Sequence, residues 1–210
     1  MTEIDPSIVQ LVSRDGDRAT ETPVSALFLR RWSARAMTGE SIPEKALLCL
    51  LEAARFAPSA YNAQPWRFVY ARNGEAAFDA LLGALTDSNR VWARKASALI
   101  LVASKAEFTP AGQKPVTLGS ASFDTGAAWA SLALQAAMLG WTTHAMAGFD
   151  AGKARAAVKA PENLKLEVVI AVGRRGDAAE LPPEKQALEK PNARRPLALT
   201  AFSGAFPDEV

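Results

Sequence analysis

The side chains able to do chemistry are few and mostly basic. Arginine doublets stand at Arg30-Arg31, Arg174-Arg175 and Arg194-Arg195, and Arg35 follows Ser33 by two positions. Arginine carries a planar fork of donors suited to carboxylate and phosphate, so short, scattered doublets fit a small anionic ligand. They do not fit a polymer. A nucleic-acid surface needs clustered basic stripes, and a net charge of +2 does not supply them. There is 1 cysteine, Cys49, and 1 histidine, His144. That excludes an internal disulfide framework, a cysteine-rich zinc or iron–sulfur site and a histidine-rich metal centre. Cys49 reads as an inert small hydrophobe on a helix. His144 follows a buried helix and sits in a strand, which favours a structural role over that of a general acid. The hard chemistry is therefore expected from a bound cofactor.

The elements that must position these groups follow from periodicity. A chain of 210 residues, 49% hydrophobic and 22% charged, suits one domain with a real core. Residues 1–22 are polar and aperiodic and read as a loosely held arm. A short helix is expected over 24–30. The next helix has Ser41 and Glu44 spaced as a capping box, with Pro43 in its first turn. Leu47, Leu50, Leu51 and Ala54 then form a core-facing stripe that ends near Phe56. Residues 58–65 form a loop with two prolines, and 67–71 a strand. The span 75–85 is an amphipathic helix burying Phe78, Leu81, Leu82 and Leu85.

The apolar run 98–103 marks a central strand buried on both faces. Asp124 stands just ahead of an apolar helix beginning at Gly126, running to Leu139 and stopped by Gly140. That helix is apolar almost all round, so it belongs in the interior or at a subunit interface. Residues 142–146 and 166–172 are strands, 152–159 a small helix, and the tail from Gly176 is extended. Helices and strands mix without a βαβ rhythm, so the class is α+β. Neither G-x-x-x-x-G-K-[ST] nor a strand-borne G-x-G-x-x-G occurs, which argues against a Rossmann domain. The uncharged stretch 125–149 is rich in alanine and broken by Gly126, Gln135 and Gly140, so it is no membrane span. The N-terminus lacks a secretory h-region, and the expected location is cytoplasmic.

Several short segments, in order, resemble the FMN-dependent nitroreductase family. They are Arg31-Trp32-Ser33-Ala34-Arg35, the loop Ala57-Pro58-Ser59-Ala60-Tyr61-Asn62-Ala63-Gln64-Pro65-Trp66, Asn89-Arg90-Val91-Trp92, Ala147-Gly148-Phe149-Asp150 and Asn192-Ala193-Arg194-Arg195-Pro196-Leu197. The proline loop is the specific one. The resemblance implies a nitroreductase-like domain over 23–197, a C-terminal extension over 198–210, and a mostly antiparallel sheet flanked by helices in an intertwined homodimer. It implies FMN as cofactor and NADH or NADPH as electron donor, reducing nitroaromatics, quinones or related small acceptors in a ping-pong cycle. A specialised flavin reaction (reductive dehalogenation, oxidative conversion) and a flavin-binding sensor with little turnover are the alternatives.

Residue by residue, the resemblance assigns Arg31, Ser33 and Arg194 to the flavin phosphate and Arg35 to the charge that develops near N1 on reduction. Asn89 would read the pyrimidine edge, and the Gly148 N–H would face N5, where a missing Cβ permits close approach. Trp32 and Ala147 fall in the same contact motifs. Pro58, Ser59, Ala60 and Asn62 would reach the flavin held mainly by the partner subunit. Taken alone, Arg31 and Arg35 read as solvated surface cations, Asn89 as a turn or cap residue, Gly148 as a loop glycine, and Trp66 and Phe68 as core. Some relatives carry lysine where Trp92 stands and glutamate where Ala147 stands, so two polar contacts to the ring are missing here. The connection 105–121 is also shorter than the helical excursion some relatives place over the site.

Overall fold

The computed structural model describes residue 18 and residues 20–207. The expected N-terminal arm thus lies outside the described residues apart from Arg18 and 20–22, as do positions 208–210 of the extension. The chain runs through α1 (Ala26–Arg30), α2 (Glu44–Arg55), β1 (Trp66–Arg72), α3 (Ala76–Ala84), α4 (Asp87–Ala93) and β2 (Ala98–Lys105). There follow β3 (Glu107–Phe108), β4 (Val116–Thr117), α5 (Ala121–Met138), β5 (Thr142–Met146), α6 (Ala151–Val158), β6 (Leu164–Gly173) and α7 (Pro183–Gln186).

The sheet order is β1-β2-β6-β5, with every pair antiparallel. The apolar run becomes β2, and alternation sends its side chains to two separate cores. Leu99 and Leu101 join Phe78 and Leu81 of α3 and Ala154 of α6. Ile100 and Val102 join Leu47 and Leu50 of α2 and Leu132 of α5. A strand covered on both faces reads as continuous hydrophobicity, which explains why β2 was plain in the sequence. The fold is α+β, an antiparallel sheet between two helical layers. No helix among the described residues is long and apolar enough to cross a membrane.

Several expectations are corrected. The capping box does not form: α2 begins at Glu44 with Pro43 in the N-cap position and no side-chain cap. Pro43 disfavours helical geometry in Ile42 before it, so the helix does not reach back to Ser41. The Glu44 carboxylate instead accepts from the Tyr70 hydroxyl, 3.3 Å away. Helix α5 starts at Ala121, so Asp124 lies inside its first turn rather than ahead of it. Residues 87–93 form a helix that their mixed composition concealed, and the connection after β2 folds into the β3–β4 hairpin. The tail carries short turns, including α7, where extended chain was expected. Cys49 is exposed on α2, not packed as a small hydrophobe.

Candidate functional site

Arg31 closes α1 with its N–H bonded to the Leu27 carbonyl, and its ψ of 118° sends the chain into an extended run. In such a run alternate residues share a side, so Arg31, Ser33 and Arg35 are grouped by geometry. The run is then tied down on several sides. Gly176 N–H donates to the Ala36 carbonyl (2.9 Å) and Thr38 N–H to that of Arg174 (3.0 Å). The Glu189 carboxylate accepts the Arg35 N–H at 2.9 and 3.0 Å and the Ala36 N–H at 2.8 Å. Three charge-assisted bonds from one side chain fix where Arg35 begins.

Arg18, Arg31, Ser33, Arg35, His144 and Arg194 meet around a polar cavity of about 160 Å³. Leu188, Lys190 and Asn192 of the C-terminal segment and Trp32 also line it, and no acidic side chain among the described residues does. Burial, then the charges of Arg194 and Arg31, hold Arg18 below the ordinary arginine range. Burial and Arg194 do the same to Arg31. These cations repel one another while partly desolvated, and a multiply charged anion would relieve both costs. A phosphate fits this donor set: arginine forks and a serine hydroxyl.

His144 belongs to the cavity and to the framework. Its Nδ1 lies 3.2 Å from the Ala34 carbonyl, which can only accept, so Nδ1 carries the proton. Its ring sits 4.7 Å from that of Trp92 at 42°. Burial first, then the Arg35 charge, lowers its pKa to about 4 against bonds to the Ala34 and Ser33 backbone that raise it. The unfolded chain therefore takes up this proton first as pH falls. Stability held through His144 is complete above pH 6.5 and is lost towards pH 4. The loss should approach about 3 kcal/mol. Urea unfolding at several pH values measures it. His144→Gln is expected to flatten the profile across that window, and an unchanged slope in the variant would assign the titration to another group.

Trp92, where some relatives have lysine, is 2% exposed and belongs to the core. Its indole Nε1 has no hydrogen-bond partner among the described residues. Asn89 lies one turn earlier on α4, and its Nδ2 donates to the Gly148 carbonyl at 3.0 Å, beside the Thr86 N–H at 3.1 Å. A Cβ on Gly148 would stand 2.8 Å from Asn89 Nδ2 and 3.0 Å from Thr86 Oγ1. Close approach does require this glycine, and the atoms that approach it here are the chain's own. Asn89 is accordingly no helix cap. Ala147 is exposed.

The proline loop lies elsewhere. Ser59 Oγ accepts from Gln64 N–H (3.0 Å), and Ala60 N–H donates to Asp124 Oδ2 (3.1 Å), which Ser120 Oγ also reaches at 3.0 Å. Tyr61, Asn62 and Gln64 have φ of 55°, 51° and 49°, a left-handed region that asparagine tolerates but that is costly for Tyr61 and Gln64. Strain of this kind persists only where surroundings impose it, and Asp124 is part of that anchorage. One register row links Ala71, Leu99, Ala171 and His144. The loop ends five residues along β1 from that row and three strands across. At about 3.3 Å per residue and 4.8 Å per strand, the separation is on the order of 20 Å. Pro58, Ser59, Ala60 and Asn62 therefore do not line the arginine cavity of their own chain.

With this geometry in place, the family model for the nitroreductase family matches residues 29–174. The chain belongs to the nitroreductase family. It superposes on a solved oxidoreductase containing FMN with a TM-score of 0.89 at 39% identity, covering 93% of this chain and 98% of that one. A protein from Desulfovibrio desulfuricans described as a nitroreductase, solved in complex with FMN, gives 0.69 at 26% identity over 90% of this chain and 100% of that one. The uncharacterized 15.4 kDa protein in the ask 5′ region of Mycolicibacterium smegmatis is 34% identical over 151 residues, which is 67% of this chain and 97% of its own length. Sequence reasoning missed Arg18 and Lys190 in the cavity wall, Glu189 behind Arg35, and Asp124 beneath the proline loop. Arg18 and Glu189 sit in polar, aperiodic segments that give no positional signal. Lys190 flanks the basic C-terminal motif, and only the acidic start of α5 hinted at Asp124.

Proposed function

We propose that the chain binds FMN and uses NADH or NADPH to reduce small acceptors such as nitroaromatics, quinones or activated alkenes. The observation that carries this reading is the cavity where Arg31, Arg35 and Arg194 converge on Ser33 with no acid among its lining residues. FMN, when bound, supplies the two-electron chemistry that this chain's side chains lack. Arg31, Ser33 and Arg194 hold its phosphate, joined by Arg18, and Trp32 borders the same wall. Arg35, fixed by Glu189, faces negative charge that grows during reaction, where a preorganised cation is most effective. Asn89 gives one amide N–H to the Gly148 carbonyl and keeps its carbonyl oxygen for a ligand N–H. Ala147 and Gly148 offer backbone and little bulk, leaving room for donor and acceptor to occupy the site in turn.

The proline loop motivates a homodimer, because Pro58, Ser59, Ala60 and Asn62 then serve the partner's cofactor. Tyr61 and Phe123 are each 81% exposed and Met138 64%, an apolar surface suited to burial against a second copy. The purified protein should be yellow, bleach with NADH or NADPH without oxygen, and recolour when a quinone or nitroaromatic is added. Sedimentation should show a dimer with one FMN per chain. A flavin-saturated stable monomer would remove the shared site, and a colourless protein indifferent to added FMN would remove the cofactor assignment.

A further inference from the structure

A second basic cavity, of about 350 Å³, lies between the end of α1, the end of α5 and the exit of β6. Arg30, Arg31, Arg174 and Arg175 line it with Trp32 and Trp141, and no acidic residue among the described ones does. It shares only Arg31 and Trp32 with the cavity assigned to FMN. Its volume falls within the range of small-ligand pockets, roughly 300–1,000 Å³.

Arg174 is built into this cavity. Its guanidinium lies 4.1 Å from the centre of the Trp141 ring, and Nη1 donates to the Leu139 carbonyl at 3.0 Å. Glu40 stands 3.9 Å from Nε. Gly140 makes this possible twice over: its φ is +73°, and a Cβ there would sit 2.6 Å from Nη1. The negative end of α5 is thereby answered by one nitrogen of the fork, leaving Nη2 uncommitted. Arg175 is exposed and, among the described residues, is held through its backbone bridge to Met37. One fixed arginine fork, an exposed arginine beside it and an aromatic ring in the wall match a phosphate ester that carries a flat base.

We propose that this cavity binds an adenine nucleotide, with Arg174 and Arg175 on its phosphates and Trp32 against the base. The proposal does not rest on the flavin reading. Two sources share this chemistry: a free nucleotide, and the ADP half of a nicotinamide dinucleotide. The test is calorimetric titration of the full chain, saturated with FMN so that the first cavity is filled, using ADP and inorganic pyrophosphate as probes. ADP should bind saturably and more tightly than pyrophosphate. Arg175→Ala, with its exposed side chain, and Arg174→Gln should each weaken ADP at least tenfold while flavin content stays unchanged. ADP binding absent up to about 1 mM, equal in wild type and both variants, or no tighter than pyrophosphate overturns the proposal. A KM for NADH or NADPH that rises in the same variants identifies the dinucleotide as the source. An unchanged KM with ADP binding lost identifies a free nucleotide. ADP binding that persists in a preparation unable to hold FMN defeats the flavin reading and leaves this one intact.

Discussion

Arg31→Ala is expected to weaken FMN retention ten- to hundredfold, whereas Arg35→Ala is expected to keep its cofactor and slow reduction. A lost charge-assisted bond to phosphate costs about 1.5–3 kcal/mol, which sets that range. Phosphate charge does not change during electron transfer, so the Arg31 variant, once resaturated with FMN, should bleach at a near-normal rate. Arg35 faces charge present only after reduction, so its loss should lower both the flavin potential and the bleaching rate. The structure adds a control. Burial and the charge of Arg194 oppose the protonated form of Arg31, so removing that cation should leave the flavin-free protein no less stable. A melting temperature without FMN that holds steady in Arg31→Ala separates lost affinity from lost folding. Stopped-flow reduction of both saturated variants decides the rest. Normal bleaching in Arg35→Ala together with slow bleaching in Arg31→Ala would show the two placements to be reversed.

Glu189→Ala should produce the second large effect, on stability and site together. Its carboxylate receives the N–H groups of Arg35 and Ala36 through three short bonds, and the half-buried position offers no ready substitute. Stranding these donors should cost about 2–3 kcal/mol. In a domain of this length that lowers the melting temperature by roughly 4–12 °C. Because the same bonds fix where Arg35 starts, the reduction rate should fall beyond what unfolding explains. Glu189→Gln retains one acceptor oxygen and should recover part of both losses. Equal behaviour of the Ala and Gln variants would mean that the tail is held by other contacts.

What could be read in advance, and what could not, divides by the range of the interaction. Helices α2 and α3 and strands β2 and β6 were visible because burial imposes a period on neighbouring residues. Leu47, Leu50 and Ala54 form such a stripe, and β2 is an unbroken apolar run. Helix α4 was invisible because Asp87, Ser88, Asn89 and Arg90 are polar; it is held by Trp92 and Ala93 in the core and by the Asn89 bond to Gly148. Tertiary contact overrode local preference there. The capping box failed for the converse reason: a valid local pattern lost to the backbone restriction of Pro43.

The sequence by itself determined the supply of chemistry. One histidine, one cysteine and scattered arginines point to a small anionic ligand and to chemistry carried by a cofactor, and the motifs named the family. Only the tertiary structure decided which of those groups meet. It joined Arg18 to Arg31 and Arg194, brought Glu189 to the backbone of Arg35 across 154 positions, and placed His144 at the cavity wall beside Trp92. It also set the proline loop far from the arginines of its own chain. Extended spacing and helical period act over a few residues and are written locally. Charge convergence, a carboxylate clamp and the distance between two ends of a sheet depend on strand order, and no local pattern encodes that.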